Sequence, residues 1–144
     1  MAGLLRTYLL TALVMLPIDA VWLTLTADPI YRAHLGHLLR EQFLLAPAAA
    51  FYLLYLVGVL VLAQMPARNW RGAFWRGAVF GLTAYGTYDL TNQATLRDWP
   101  TIVTIIDLAW GSTLTAVVAA AGHRLGWPRG RSADAGTVRS EANI

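Results

Sequence analysis

Apolar residues fall into four long blocks, at about 8–26, 43–64, 72–92 and 101–122, separated by short polar stretches. Each block is near the roughly 20 residues that a helix needs to cross about 30 Å of hydrocarbon. A helix pairs every backbone polar group internally, which a lipid environment demands. The strands of a membrane barrel would be shorter and would alternate between apolar and polar, and no such alternation occurs here. The pattern therefore predicts an all-α fold, a four-transmembrane-helix bundle. The third block is the most polar, because it holds Arg76, Asp89 and several glycines. The first block, with Arg6 ahead of an apolar run and Ala27 behind it, has some features of a cleaved leader. Asp19 and Trp22 interrupt that run and Leu25 is poorly suited to a cleavage site, so it is read as a span. Residues 1–125 form one helical domain in this reading, and 126–144 an Arg-rich, disordered cytoplasmic tail.

The connections carry their own signals. Asp28-Pro29 resembles a helix start, with Asp as cap and Pro in the first turn. The stretch 29–42 is too short to span. It sets Tyr31, Leu35, Leu38 and Leu39 on one side, and is expected to lie along the interface as a short helix between spans one and two. Asn92 is placed to end the third helix in a left-handed cap, and Pro100 to open the fourth. Gly77 and Gly81 form a small-xxx-small pair suited to close helix packing.

Composition narrows the chemistry. Hydrophobic residues make up 57% and charged residues 13%, about half the charged share of a soluble domain. The absence of Cys excludes thiol catalysis, disulfides and thiolate-held clusters. All 11 basic residues are Arg, so neither a Schiff base nor a phosphate-loop Lys is available. A net charge of +3, scattered along the chain, does not suit nucleic acid. The sequence calls for no cofactor. The charges also predict orientation. With four spans, one side carries Arg6, Arg68, Arg71, Arg76, Arg124, Arg129, Arg131 and Arg139, and the other only Arg32, Arg40 and Arg97. The positive-inside rule then places both termini in the cytoplasm.

Three acids within the spans carry the functional expectation. Asp19, Asp89 and Asp107 each lie a few residues from the same end of their helices, roughly 5 to 10 Å below the outer interface at 1.5 Å per residue. A charged Asp costs up to about 2.5–3.5 kcal/mol at the bilayer centre, so all three are expected to turn inward and share one polar cluster. Same-face neighbours offer donors or close approach: Trp22 and Thr26 beside Asp19; Tyr85, Gly86 and Asn92 around Asp89; Thr104, Trp110 and Gly111 around Asp107; Tyr88, next to Asp89 in the chain, is a further candidate. The strings Asp19-Ala-Val-Trp22 and Asp107-Leu-Ala-Trp110 repeat one pattern on helices of opposite direction, like the remnant of an inverted repeat. Tyr52 and Tyr55 are read as packing. His34, His37 and Glu41 share a face of the expected interfacial helix and are weak metal candidates; the solvated side of that helix is their simpler reading.

The strings Ile18-Asp-Ala-Val-Trp22-Leu, Tyr85-Gly-Thr-Tyr-Asp89-Leu-Thr-Asn92 with its downstream Trp99-Pro100, and Ile106-Asp107-Leu-Ala-Trp110-Gly111 resemble a bacterial family of predicted membrane proteins, domain of unknown function 2177. The likeness runs nearly to Gly122. It implies a multi-helix inner-membrane protein and transfers no activity, cofactor or catalytic residue. Three function classes follow from the residues. The favoured one is a non-enzymatic module whose outer-facing, Asp-lined pocket binds a small cation, a lipid headgroup or an apolar ligand, with proton-linked transport as one form of it. A lipid-acting enzyme using the same acids, alone or around a divalent metal, is the alternative. A structural assembly subunit is the third. Membrane lipids are the expected surroundings in all three.

Overall fold

The computed structural model describes residues 2–127. Among these residues the chain is helical, with α1 (Ala2–Thr26), α2 (Ala33–Leu35), α3 (Leu45–Gly58), α4 (Trp70–Thr95) and α5 (Thr101–Gly126). Most of the expected Arg-rich tail, 128–144, lies outside the described residues.

The expected helix break at Asp28-Pro29 does not occur. The chain passes from α1 through a π-helical stretch, Ala27–Arg32, directly into α2, and the three make one rod of 34 residues. Pro29 explains the change of winding. Its nitrogen carries no hydrogen, and its ring crowds the carbonyl one turn back, so the chain widens instead of stopping. The Ala33 N–H then reaches back to the Asp28 carbonyl. The interfacial helix expected over 29–42 is thus a continuation of α1 that ends at Leu35, just before Gly36. A second π-helical stretch, Val59–Gln64, continues α3, with the Met65 N–H bonded to the Leu60 carbonyl at 2.8 Å. The wider turn lets the neighbouring side chains of Ala63 and Gln64 both point inward, and both are fully buried.

Helix α4 opens on Asn69, whose side-chain oxygen accepts the Gly72 N–H at 2.9 Å. It runs past Asn92, which is not a terminal cap. The left-handed residue of the following loop is Asp98, with φ 61°, a conformation that Asp tolerates better than most residues. Pro100 immediately precedes α5, as expected.

Among the described residues, three rods are long and apolar enough to cross a membrane: Ala2–Leu35, Leu45–Gln64 and Thr101–Gly126. Helix α4 matches α5 in length at 26 residues but is less apolar. The reason is visible in its faces. Trp75, Val79, Leu82 and Leu90 point outward, while Ala73, Gly77, Gly81, Gly86 and Asp89 are buried.

Helix α5 is the centre of the bundle, with half of its apolar window buried against 22% for the other two rods. It packs antiparallel to α4, where Gly77 faces Thr115 and Ala119 and Gly81 faces the Gly111 carbonyl. A methyl group at Gly81 would occupy the space of that carbonyl, so glycine sets the helix spacing here. On its other side α5 runs antiparallel to α1, with Gly126 against Thr7 and Gly122 against Thr11. Many large apolar side chains, including Leu9, Leu13, Leu53, Leu54 and Ile105, face outward, whereas Thr7, Thr11, Asp19, Gln64, Asp89, Asp107 and Thr115 are buried. That inversion of the soluble pattern suits a surface solvated by acyl chains.

Candidate functional site

The antiparallel pairing of α1 and α5 brings the two Asp-x-x-Trp strings against each other. Trp22 and Trp110 stack face to face, with ring centroids 4.1 Å apart and planes 8° from parallel. Each indole reaches away from the carboxyl on its own helix. Trp110 Nε1 donates to Asp19 Oδ1 at 3.2 Å, and Trp22 Nε1 donates to the Tyr31 hydroxyl at 3.2 Å. Tyr31 in turn donates to Asp107 Oδ1 at 2.5 Å. The second oxygen of Asp19 accepts the Tyr52 hydroxyl, also at 2.5 Å. The two acids are therefore handled alike, each taking a tyrosine hydroxyl and each tied to the opposite Trp, in one case directly and in the other through Tyr31.

This corrects the expected source of the donors. Residues at i and i+3 lie side by side on a helix and project roughly parallel, so Trp22 does not turn back to Asp19. Thr26 bonds the Trp22 carbonyl, and Thr104 accepts Trp99 Nε1 at 3.0 Å. Neither hydroxyl serves an acid. Tyr52, read as packing, is a carboxylate partner, and Tyr31 is another that the sequence left on an interfacial helix. The signal that was available is the phenol itself: a Tyr within an apolar span usually finds a partner for its hydroxyl.

Asp89 differs from the other two. It is fully enclosed, at 0% exposure, and neither carboxyl oxygen has a hydrogen-bond partner. It lies within electrostatic reach of Asp107. Around it, Gly86 is buried and Asn92 is half-buried one turn on. Tyr85 is half-buried, its ring against Gly111, in one layer with Asp19 and Asp107 and within electrostatic reach of both. Tyr88 is 61% exposed, meets the edge of Trp99 at a centroid distance of 5.8 Å, and lies within electrostatic reach of Asp89 and Asp107 at the margin of the cluster.

That layer is closed toward the α2 end. Leu35, Trp99 and Val103 form a small buried core there, with Ile30 and Tyr31 packed against it. All three acids are buried within the bundle. An open groove of about 470 Å³ borders the tryptophan pair from outside the bundle. Its walls (Pro17, Ile18, Val21, Trp22, Leu25 and Trp110) are apolar and include no acid. Among the described residues, no three His, Cys, Asp or Glu side chains come together as metal ligands. His34, His37 and Glu41 are exposed and do not form such a group, because α2 ends at Leu35 and the shared helical face ends with it.

A family model described as "Predicted membrane protein (DUF2177)" matches residues 4–124. The chain belongs to this family. The DUF2177 match takes in α1, α3, α4 and nearly all of α5, and with them Asp19, Asp89 and Asp107. No curated protein and no solved structure matches the chain. The protein is thus a membrane protein of a family whose description assigns no activity, and the chemistry of this DUF2177 member has to be read from its acidic centre.

Proposed function

We propose that the chain is an inner-membrane module that binds a proton or a small cation at the enclosed acidic centre, as the working part of proton-linked transport. The observation that carries this reading is the unequal treatment of the three acids. Asp19 has two donors and Asp107 has one, while Asp89 is buried with none. A carboxylate with no donor is the most costly polar arrangement in an apolar interior. It is balanced when a proton or small cation sits on it, and the neighbouring charge of Asp107 favours either. Asp19 and Asp107 supply the negative field, and Asp89 supplies the exchangeable seat.

The orientation follows with α4 as the fourth span. Eight Arg residues then fall on the side of both termini and three on the other, which puts the termini in the cytoplasm and the acidic centre in the outer half of the membrane. Lipids surround the apolar outer faces of the rods.

The test uses the full chain in sealed liposomes carrying a pH-sensitive dye, with an imposed membrane potential. Proton entry above that of protein-free liposomes is expected for the native chain and is lost in Asp89→Asn. Entry that persists unchanged in Asp89→Asn would remove the proposal.

A further inference from the structure

We infer that the π-helical turn Ala27–Arg32, with Leu35 behind it, is a gate that admits the proton or cation to Asp89 from the α2 end of the bundle. The inference rests on the reading of Asp89 as the accepting group. An enclosed seat needs a moving part, and this turn is the segment built to move. Its six residues include none that is buried. Its winding is the loosened one that Pro29 imposes, and π turns within α-helices recur where a helix has a functional task.

Few contacts hold the turn down. Tyr31 donates to Asp107 at 2.5 Å and accepts from Trp22 Nε1 at 3.2 Å, and Ile30 and Tyr31 pack on the core formed by Leu35, Trp99 and Val103. The opposite jamb is fixed, since Trp99, in the short α4–α5 connection, donates to Thr104 in the first turn of α5 at 3.0 Å. The charged pair of the turn, Asp28 and Arg32, is exposed at 3.4 Å separation and holds nothing to α4 or α5. Swinging the turn outward breaks two hydrogen bonds, Tyr31 to Asp107 and Trp22 to Tyr31, and separates one small apolar core. The same movement frees an oxygen of Asp107 next to Asp89, so opening and uptake are coupled through Tyr31.

The chain contains no Cys, so a Leu35→Cys/Trp99→Cys variant carries the only two thiols and can be bridged by a short thiol-specific cross-linker. The full-length protein in liposomes is treated with a carbodiimide, and labelling of Asp89 is followed by peptide mass. In that reaction the protonated carboxyl adds across a C=N bond and rearranges to an acylurea that keeps every atom of the reagent. A membrane-permeant carbodiimide tests the seat and a water-soluble one tests the gate. The permeant reagent labels Asp89 whether or not the bridge is present. Absence of that label overturns the assignment of Asp89 and leaves the gate without purpose. Bridging slows labelling by the water-soluble reagent at least about tenfold, and removal of the bridge restores it. Tyr31→Phe, which keeps the ring and removes the hydroxyl's bonds to Asp107 and Trp22, speeds that labelling by up to about tenfold and serves if the double variant fails to fold. Equal rates with and without the bridge, an unchanged rate in Tyr31→Phe, or no aqueous labelling in the unbridged protein overturns the gate while the permeant label still stands.

Discussion

The two halves of the bundle treat buried polarity in opposite ways. Toward the N-terminus of α1, every hydrogen bond closes on a neutral partner. Gln64 donates to Thr11 at 3.0 Å and to the Ala119 carbonyl at 3.2 Å, Tyr55 meets Thr115 at 2.7 Å, and a ring nitrogen of His123 lies 3.3 Å from the Ala67 carbonyl. Toward α2, the carboxyls of Asp19, Asp89 and Asp107 are buried beside the neutral Thr26 and Thr104, and one of the carboxyls has no partner at all. Satisfied neutral networks position helices at modest cost. An unsatisfied acid contributes nothing to folding, so its presence points to a use. The difference separates what holds the four rods together from what they enclose.

The sharpest break in the first half comes at Gly81. A leucine there has no space against the Gly111 carbonyl, and Gly81→Leu is expected to destabilise the bundle by about 3 kcal/mol or to prevent folding. Size-exclusion profiles and melting in detergent read the effect directly. A Gly81→Leu chain that elutes and melts like the native one would show that α4 does not pack on α5 in this register.

Next in size is Tyr52→Phe, which strips Asp19 of a short, charge-assisted donor and is expected to cost about 2 kcal/mol. The matching change in the other half, Tyr55→Phe, removes only a neutral contact to Thr115 and is expected to cost about 1 kcal/mol or less. Thermal melts of the two variants side by side sharpen the comparison, and the reverse order would dissolve it. A similar effect, about 1 kcal/mol in stability with proton entry unaltered, is expected at Gln64→Leu, because that network serves packing alone. Loss of proton entry there would extend the functional centre into the neutral half.

Much of this was legible in the chain itself. Block lengths of about 20 apolar residues announce four rods, and the positions of Asp19, Asp89 and Asp107 announce buried acids, because both follow from solvation in hydrocarbon. The pairing within the centre was not legible. Asp19 takes its donors from α3 and α5, and Asp107 takes its donor from the turn after α1, so the partners are set by helix register rather than by spacing along one helix. The turn at Pro29 misled for a related reason. Asp-Pro is a strong start signal in water, where the freed carbonyls can be hydrated. Within this rod the chain keeps its backbone paired by widening to the π form.

The account stands most directly on a paired measurement of Asp89→Asn: melting temperature in detergent and proton entry in liposomes from the same preparation. The amide has nearly the same shape and no charge. The account predicts a melting temperature equal to or above that of the native chain, together with proton entry no greater than that of empty liposomes. A lowered melting temperature with proton entry intact would contradict it, since Asp89 would then be part of the scaffold rather than the seat.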